Sequence, residues 1–89
     1  MKIRIDQHTA KRAVERGTSE DEIRDVLKTG TPAPMARGRL RKAKVYDFGR
    51  ERLGRHYRQK RVEVIYVMDE DTVVTVTVHV FFGQWKDPA

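Results

Sequence analysis

The side chains of this chain best suited to proton chemistry near neutral pH are three histidines, His8, His56 and His79, and it has no cysteine. A histidine can take or give a proton in that range, and arginine offers a fork of donors that fits phosphate oxygens. In "HTAKRAVERG" (His8 to Gly17) a histidine, an arginine and a second arginine follow one another at four-residue spacing: His8, Arg12 and Arg16. Phosphoryl transfer on RNA without a metal needs few parts. One group removes the 2′-OH proton, another protonates the leaving oxygen, and cations stabilise the crowded phosphorane. The chain has parts of each kind. Spacing alone equally describes a solvated helix face, with Arg12 and Arg16 paired to Glu15 or to acids further along. His79 lies among alternating valines, so it faces the polar side of a strand, either as a site residue or bonded to a neighbouring threonine. His56, near a turn, says least.

Other chemistries find less to work with. Without cysteine there is no thiolate nucleophile, thiolate metal site or disulfide framework. No glycine-rich phosphate loop and no histidine pair at metal-ligand spacing is present. Asp69 to Asp71 reads as a hairpin turn rather than a cation site, and no metal or other cofactor is expected. Tyr57, Tyr66 and Trp85 could stack on bases or fill a core. Glu63, an isolated acid in an apolar strand, reads as a cross-strand partner of Lys or Arg.

Charge points to the kind of ligand. The 89 residues carry a formal net charge of +6, very unevenly spread. From Arg37 to Arg61 there are eleven Lys/Arg against Asp47 and Glu51, a local charge of +9, while the rest of the chain sums to −3. Such asymmetry favours a polyanion, most simply RNA; a solubilising surface is the plainer alternative. Met1, Lys2, Arg4 and Asp6 leave no room for an apolar leader, and no run reaches membrane-spanning length. The expectation is a cytoplasmic protein without a membrane partner.

These residues need elements to position them. Asp6 is a candidate N-cap for a helix from about Gln7 to Arg16, which Gly17 ends. On a helical wheel Ala10, Ala13 and Val14 share its apolar side, and His8, Lys11, Arg12 and Glu15 lie opposite. "SEDE" is a capping box at Ser19 and Glu22 for a second helix with an Ile23, Val26, Leu27 stripe, ended at Gly30. "TPAPMARGRLRK" reads as a loop because of Pro32, Pro34 and Gly38. Strands follow at "KAKVYDF", "RVEVIYVM" and "VVTVTVHVFF", with turns near Gly54 and at "DEDT". "MKIRI" is either a short first strand or a lead-in. In the last strand Val74, Val76, Val78, Val80 and Phe82 are expected on the core face, and Thr75, Thr77, His79 and Phe81 on the other. The reading is one α+β domain: two N-terminal helices packed on one face of an antiparallel β-meander of three to four strands.

The stretch from His8 to Gly17, with its capped second helix, resembles the family called domain of unknown function 4258. That family often opens with a histidine, an arginine one turn on, and an arginine–glycine pair closing the helix, here His8, Arg12, Arg16 and Gly17. "YRQKRVEVIYV" (Tyr57 to Val67) and "TVHVFFGQW" (Thr77 to Trp85) resemble its paired C-terminal strands and glycine–x–tryptophan ending. The family is regarded as part of the barnase–EndoU–colicin–RelE superfamily of small endoribonucleases. The resemblance therefore implies a RelE/barnase-like fold, with His8, Arg12 and Arg16 lining an active cleft beside a residue of the last strands. The family often has tyrosine where His79 stands, and a histidine there can do the same acid work.

The expected function is a small metal-independent endoribonuclease, the toxin of a toxin–antitoxin pair. His8, Arg12, Arg16 and His79 are its candidate catalytic residues, and Arg58, Lys60, Arg61 and Thr77 its candidate substrate-binding residues. Expected partners are RNA, free or on the ribosome, and an antitoxin protein; an exposed last strand could also pair with a second copy. The alternative is a non-catalytic RNA-binding or protein-interaction module on the same scaffold.

Overall fold

In the computed structural model, which describes residues 1–85, both helices begin at the nominated caps. The Asp6 side chain accepts from the backbone N–H of Thr9 and starts α1 (Gln7–Arg16). Gly17 ends α1 at φ 89°. A side chain there would begin 2.7 Å from Arg52 Nη1 and 3.1 Å from the Phe82 ring, so both the angle and the space call for glycine. Ser19 accepts from the Glu22 N–H at 3.1 Å and starts α2 (Glu20–Thr29). Glu22 does not complete the capping box. Its Oε1 instead accepts from the Thr18 hydroxyl at 2.8 Å and the Lys60 ammonium at 2.6 Å.

The sheet has five strands in the order β1-β5-β4-β3-β2: β1 (Lys2–Arg4), β2 (Thr31–Pro34), β3 (Leu40–Arg52), β4 (Arg55–Asp69) and β5 (Thr72–Gly83). Strands β3 to β5 form the expected antiparallel meander, and β2 extends it beyond β3. Two features correct the expectation. First, β1 pairs in parallel with β5, Lys2 opposite Thr72 and Arg4 opposite Val74, so the sheet is mixed. Second, Thr31–Pro34 is a strand and not a loop. Its prolines are tolerated because β2 is an edge, where one side of the strand needs no donors.

Both helices pack on one face, α1 over β5 and α2 over β3 and β4. The core joins Ala13, Ile23, Val26 and Leu27 to Val62, Val64, Tyr66, Val73 and Val78. The α2 stripe is as expected. In α1, however, Thr9 and Ala13 are buried and Val14 is 79% exposed, so the helix is rolled away from the Val14 side toward Arg12 and Arg16.

The last strand departs from simple alternation. Tyr66 pairs with Thr75 but Ile65 with Thr77, so β5 carries one extra residue at Val76. This bulge exchanges the two faces. Val78, Val80 and Phe82 keep the core side, whereas upstream it is Val73 and Thr75 that face the helices, and Val74 does not. Thr75, expected on the polar face, is 3% exposed. Its hydroxyl donates to Asp6 Oδ1 at 2.9 Å and accepts from the Asp6 N–H at 3.1 Å, tying the start of α1 to β5.

Candidate functional site

His8, Arg12 and Arg16 lie one turn apart along one side of α1. β1 pairs only with Thr72–Val74 of β5, so the same edge of β5 further downstream meets no strand among the described residues. Arg16 reaches that edge. Its Nη1 donates to the Val78 carbonyl at 2.6 Å and lies 3.1 Å from His79 Nδ1. A guanidinium can only donate, so Nδ1 is the acceptor and the neutral imidazole carries its proton on Nε2. His79 stands opposite Glu63 on the face without helices, so Arg16 reaches around the sheet edge to meet it. Arg12 pairs with Glu15 at 2.7 Å, with both side chains well exposed; such a pair is weakly held and readily exchanged for a phosphate. His8 is exposed, about 12 Å along the helix axis from Arg16. The fold thus joins Arg16 to His79, places Arg12 midway, and leaves His8 at the far end of the stripe.

The other candidates do not converge there. Lys60 is 6% exposed; its ammonium donates to Glu22 Oε1 at 2.6 Å and to the Gly17 carbonyl at 2.9 Å. It clamps the α1–α2 junction onto β4 and does not present its charge to a ligand. Arg61 and Thr77 lie on the helix-free face. Arg61 is 3.6 Å and Arg41 3.9 Å from the buried Glu63 carboxylate, and Thr77 pairs with Ile65. Tyr66, a stacking candidate, belongs to the core.

Much of the basic segment serves the fold in the same way. Lys42 donates to the Leu27 carbonyl at 2.7 Å, and Lys44 and the Tyr46 hydroxyl both donate to Asp25. The hydrogen bond from Lys44, then that from Tyr46, holds the Asp25 carboxyl below its ordinary value. Burial, with Asp25 adding to it, pushes the Tyr46 hydroxyl up. Arg52 donates to the Glu15 carbonyl at 3.0 Å and covers the Phe82 ring. Arg37, Arg39, Arg50, Arg55 and Arg58 remain exposed.

Arg58 lines a feature that sequence reasoning missed. Between the pairs Asp47–Gln59 and Arg50–Tyr57 the register of β3 and β4 shifts, so that Phe48 and Gly49 oppose Arg58 alone. Gly49 takes φ 60°. Beside this bulge lies a groove of about 640 Å³, lined among others by Asp47, Phe48, His56, Arg58, Gln59 and Trp85. The one advance signal was Gly49, just past the strand expected at "KAKVYDF"; where the strand runs on through a glycine, as β3 does, a bulge is a common result.

Two capped helices on one face of a five-stranded mixed sheet, with an arginine–histidine contact at its open edge, define a small α+β domain with an exposed cationic site. Among protein-family models, the one described as Domain of unknown function (DUF4258) matches residues 5–80, and the chain belongs to that family. The match takes in α1 and His79; the glycine–x–tryptophan ending lies beyond it. Neither the curated proteins nor the solved structures contain a match to the chain. Among the described residues, no three His, Asp or Glu side chains are grouped as metal ligands would be, and no helix is long and apolar enough to cross a membrane.

Proposed function

We propose that the chain is a small endoribonuclease, the toxin of a toxin–antitoxin pair, that cleaves RNA by acid–base chemistry without a metal. The observation that carries this reading is the Arg16–His79 contact of 3.1 Å at the end of the His8–Arg12–Arg16 stripe. It joins a cation to a group that moves protons, beside an open strand edge. A phosphate held at Arg12 lies about 6 Å along the axis from the level of either His8 or Arg16. His8 takes the 2′-OH proton, the freed oxygen attacks the adjacent phosphorus, and the 5′-oxygen leaves with a proton. The products are a 2′,3′-cyclic phosphate and a 5′-hydroxyl. Arg12 and Arg16 neutralise the phosphorane. Transfer of the Arg16 fork to the phosphate frees His79 Nδ1 to take up a proton from water, and the imidazolium so formed donates from Nε2 to the leaving 5′-oxygen. The exposed arginines between Arg37 and Arg58 hold RNA, free or on the ribosome, and an acidic antitoxin would compete for the same cations.

The test is incubation of the full chain with mixed RNA in excess EDTA, with and without ribosomes, beside His8→Ala. Wild type is expected to cleave, and His8→Ala to lose at least about 100-fold in rate while still binding RNA. Undiminished cleavage by His8→Ala removes His8 from the mechanism. Absence of cleavage under both conditions favours the second reading, a non-catalytic RNA-binding module. That reading draws on the bond from Arg16 to the Val78 carbonyl, which suits a structural arginine equally well.

A further inference from the structure

The groove at the β3 bulge has a chemistry of its own, separate from the stripe on α1. Its volume of about 640 Å³ falls within the range of small-ligand sites. Trp85 is fixed there from two directions. Its backbone N–H donates to Gln59 Oε1 at 2.7 Å, and its ring lies back along the strand, 3.6 Å from where a side chain on Gly83 would begin. Gln59 accepts with its oxygen, so its amide donors are left for a ligand. Arg58 stands opposite the two bulged residues and is exposed. It also lines an adjoining groove of about 440 Å³ shared with Arg55, His56 and Phe82. Asp47 adds an acceptor to an otherwise cationic wall. A bare anion gains nothing from Asp47, whereas a base carrying an N–H donor does.

We propose that this groove binds one unpaired nucleotide of single-stranded RNA. The base stacks on Trp85, its polar edge meets Asp47 and Gln59, and Arg58 takes the phosphate. A paired base has both faces covered by its neighbours and its polar edge engaged, so a duplex is excluded. The proposal rests on the reading of RNA as the ligand but not on cleavage, and it makes the groove a subsite that sets where a strand sits relative to α1.

Trp85 is the only tryptophan in the chain, so its fluorescence reports on the groove directly. The full chain is titrated with a fully 2′-O-methylated hexanucleotide, which lacks the attacking hydroxyl, as a single strand and as a duplex. Quenching by the single strand, and much less by the duplex, is expected. By anisotropy of a labelled strand, Trp85→Ala should weaken binding roughly 5- to 100-fold, with Trp85→Phe restoring most of it. Arg58→Ala, at an exposed position, should weaken binding without disturbing the fold. His8→Ala should quench as wild type does. The proposal is overturned by any of three results: no quenching, equal quenching by inorganic phosphate alone, or unchanged affinity in both Arg58→Ala and Trp85→Ala. Absence of wild-type cleavage of unmodified RNA, with quenching intact, sinks the nuclease reading only.

Discussion

Asp6 acts at two distant points of the chain at once. Its carboxylate caps α1 through Thr9 and accepts from the Thr75 hydroxyl. Partial burial pushes its pKa up, but the hydrogen bonds from Thr9 and Thr75 outweigh this and leave it below the ordinary 3.8. As pH falls the unfolded chain therefore takes up the proton first. The stabilisation is fully present above about pH 4 and is lost as pH drops through the folded value. Asp6→Asn keeps an efficient cap, so it should match wild type near neutrality and show less loss between pH 4 and 2. Asp6→Ala should lose about 1 kcal/mol at neutral pH. Urea unfolding from pH 2 to 7 measures both, and equal acid sensitivity of wild type and Asp6→Asn would refute the assignment. The Asp6 cap was legible because N-capping is local. The Asp6–Thr75 bond and the Arg16–His79 contact were not, since each joins residues more than sixty positions apart and no local pattern encodes them.

Among the elements, the helices were readable from their caps, and the misreadings each have a physical cause. Prolines in Thr31–Pro34 suggested a loop because proline lacks an N–H, yet an edge strand needs donors on one side only. The run of valines after Thr72 suggested one unbroken face because the bulge at Val76 leaves no mark in composition. The wheel placed Val14 inward because it is apolar, whereas the roll of α1 is set by Asp6, Thr75 and Arg16, which are polar. This roll gives a direct contrast. Leu27, 1% exposed in α2, should cost about 2–5 kcal/mol when changed to alanine. Val14→Ser, at a site 79% exposed, should change stability by no more than about 0.5 kcal/mol. Thermal or urea unfolding decides it, and a cost at Val14 comparable to that at Leu27 would place α1 in another orientation.

For the molecule as a whole, the +9 segment is less free than its composition implies. Lys42, Lys44, Arg52 and Lys60 are held by helix carbonyls and carboxylates, and Arg41 and Arg61 flank Glu63. Under the proposed function the five exposed arginines of that segment meet phosphates, and Arg12 and Arg16 join them on exchanging Glu15 and Val78 for the ligand. Each phosphate neutralised on a single strand contributes about 0.7 to the slope of log K against log salt. The slope should therefore lie between about −3.5 and −5, read from RNA-binding anisotropy at several salt concentrations. A slope near −8, the value for the whole segment, would mean that the internal pairs open on binding. Net charge was legible in the sequence, but which charges the fold uses for itself was not.

The parallel pairing of β1 with β5 also bears on the order of synthesis. The helix carrying His8, Arg12 and Arg16 leaves the ribosome well before the strand that seats it, since β2, β3 and β4 are made between them. A nascent chain that stops before Thr72 has α1 but neither Thr75 to fasten its start nor Val78 and His79 to receive Arg16. Whatever this site does is therefore withheld from partial translation products and begins only once β5 has been made.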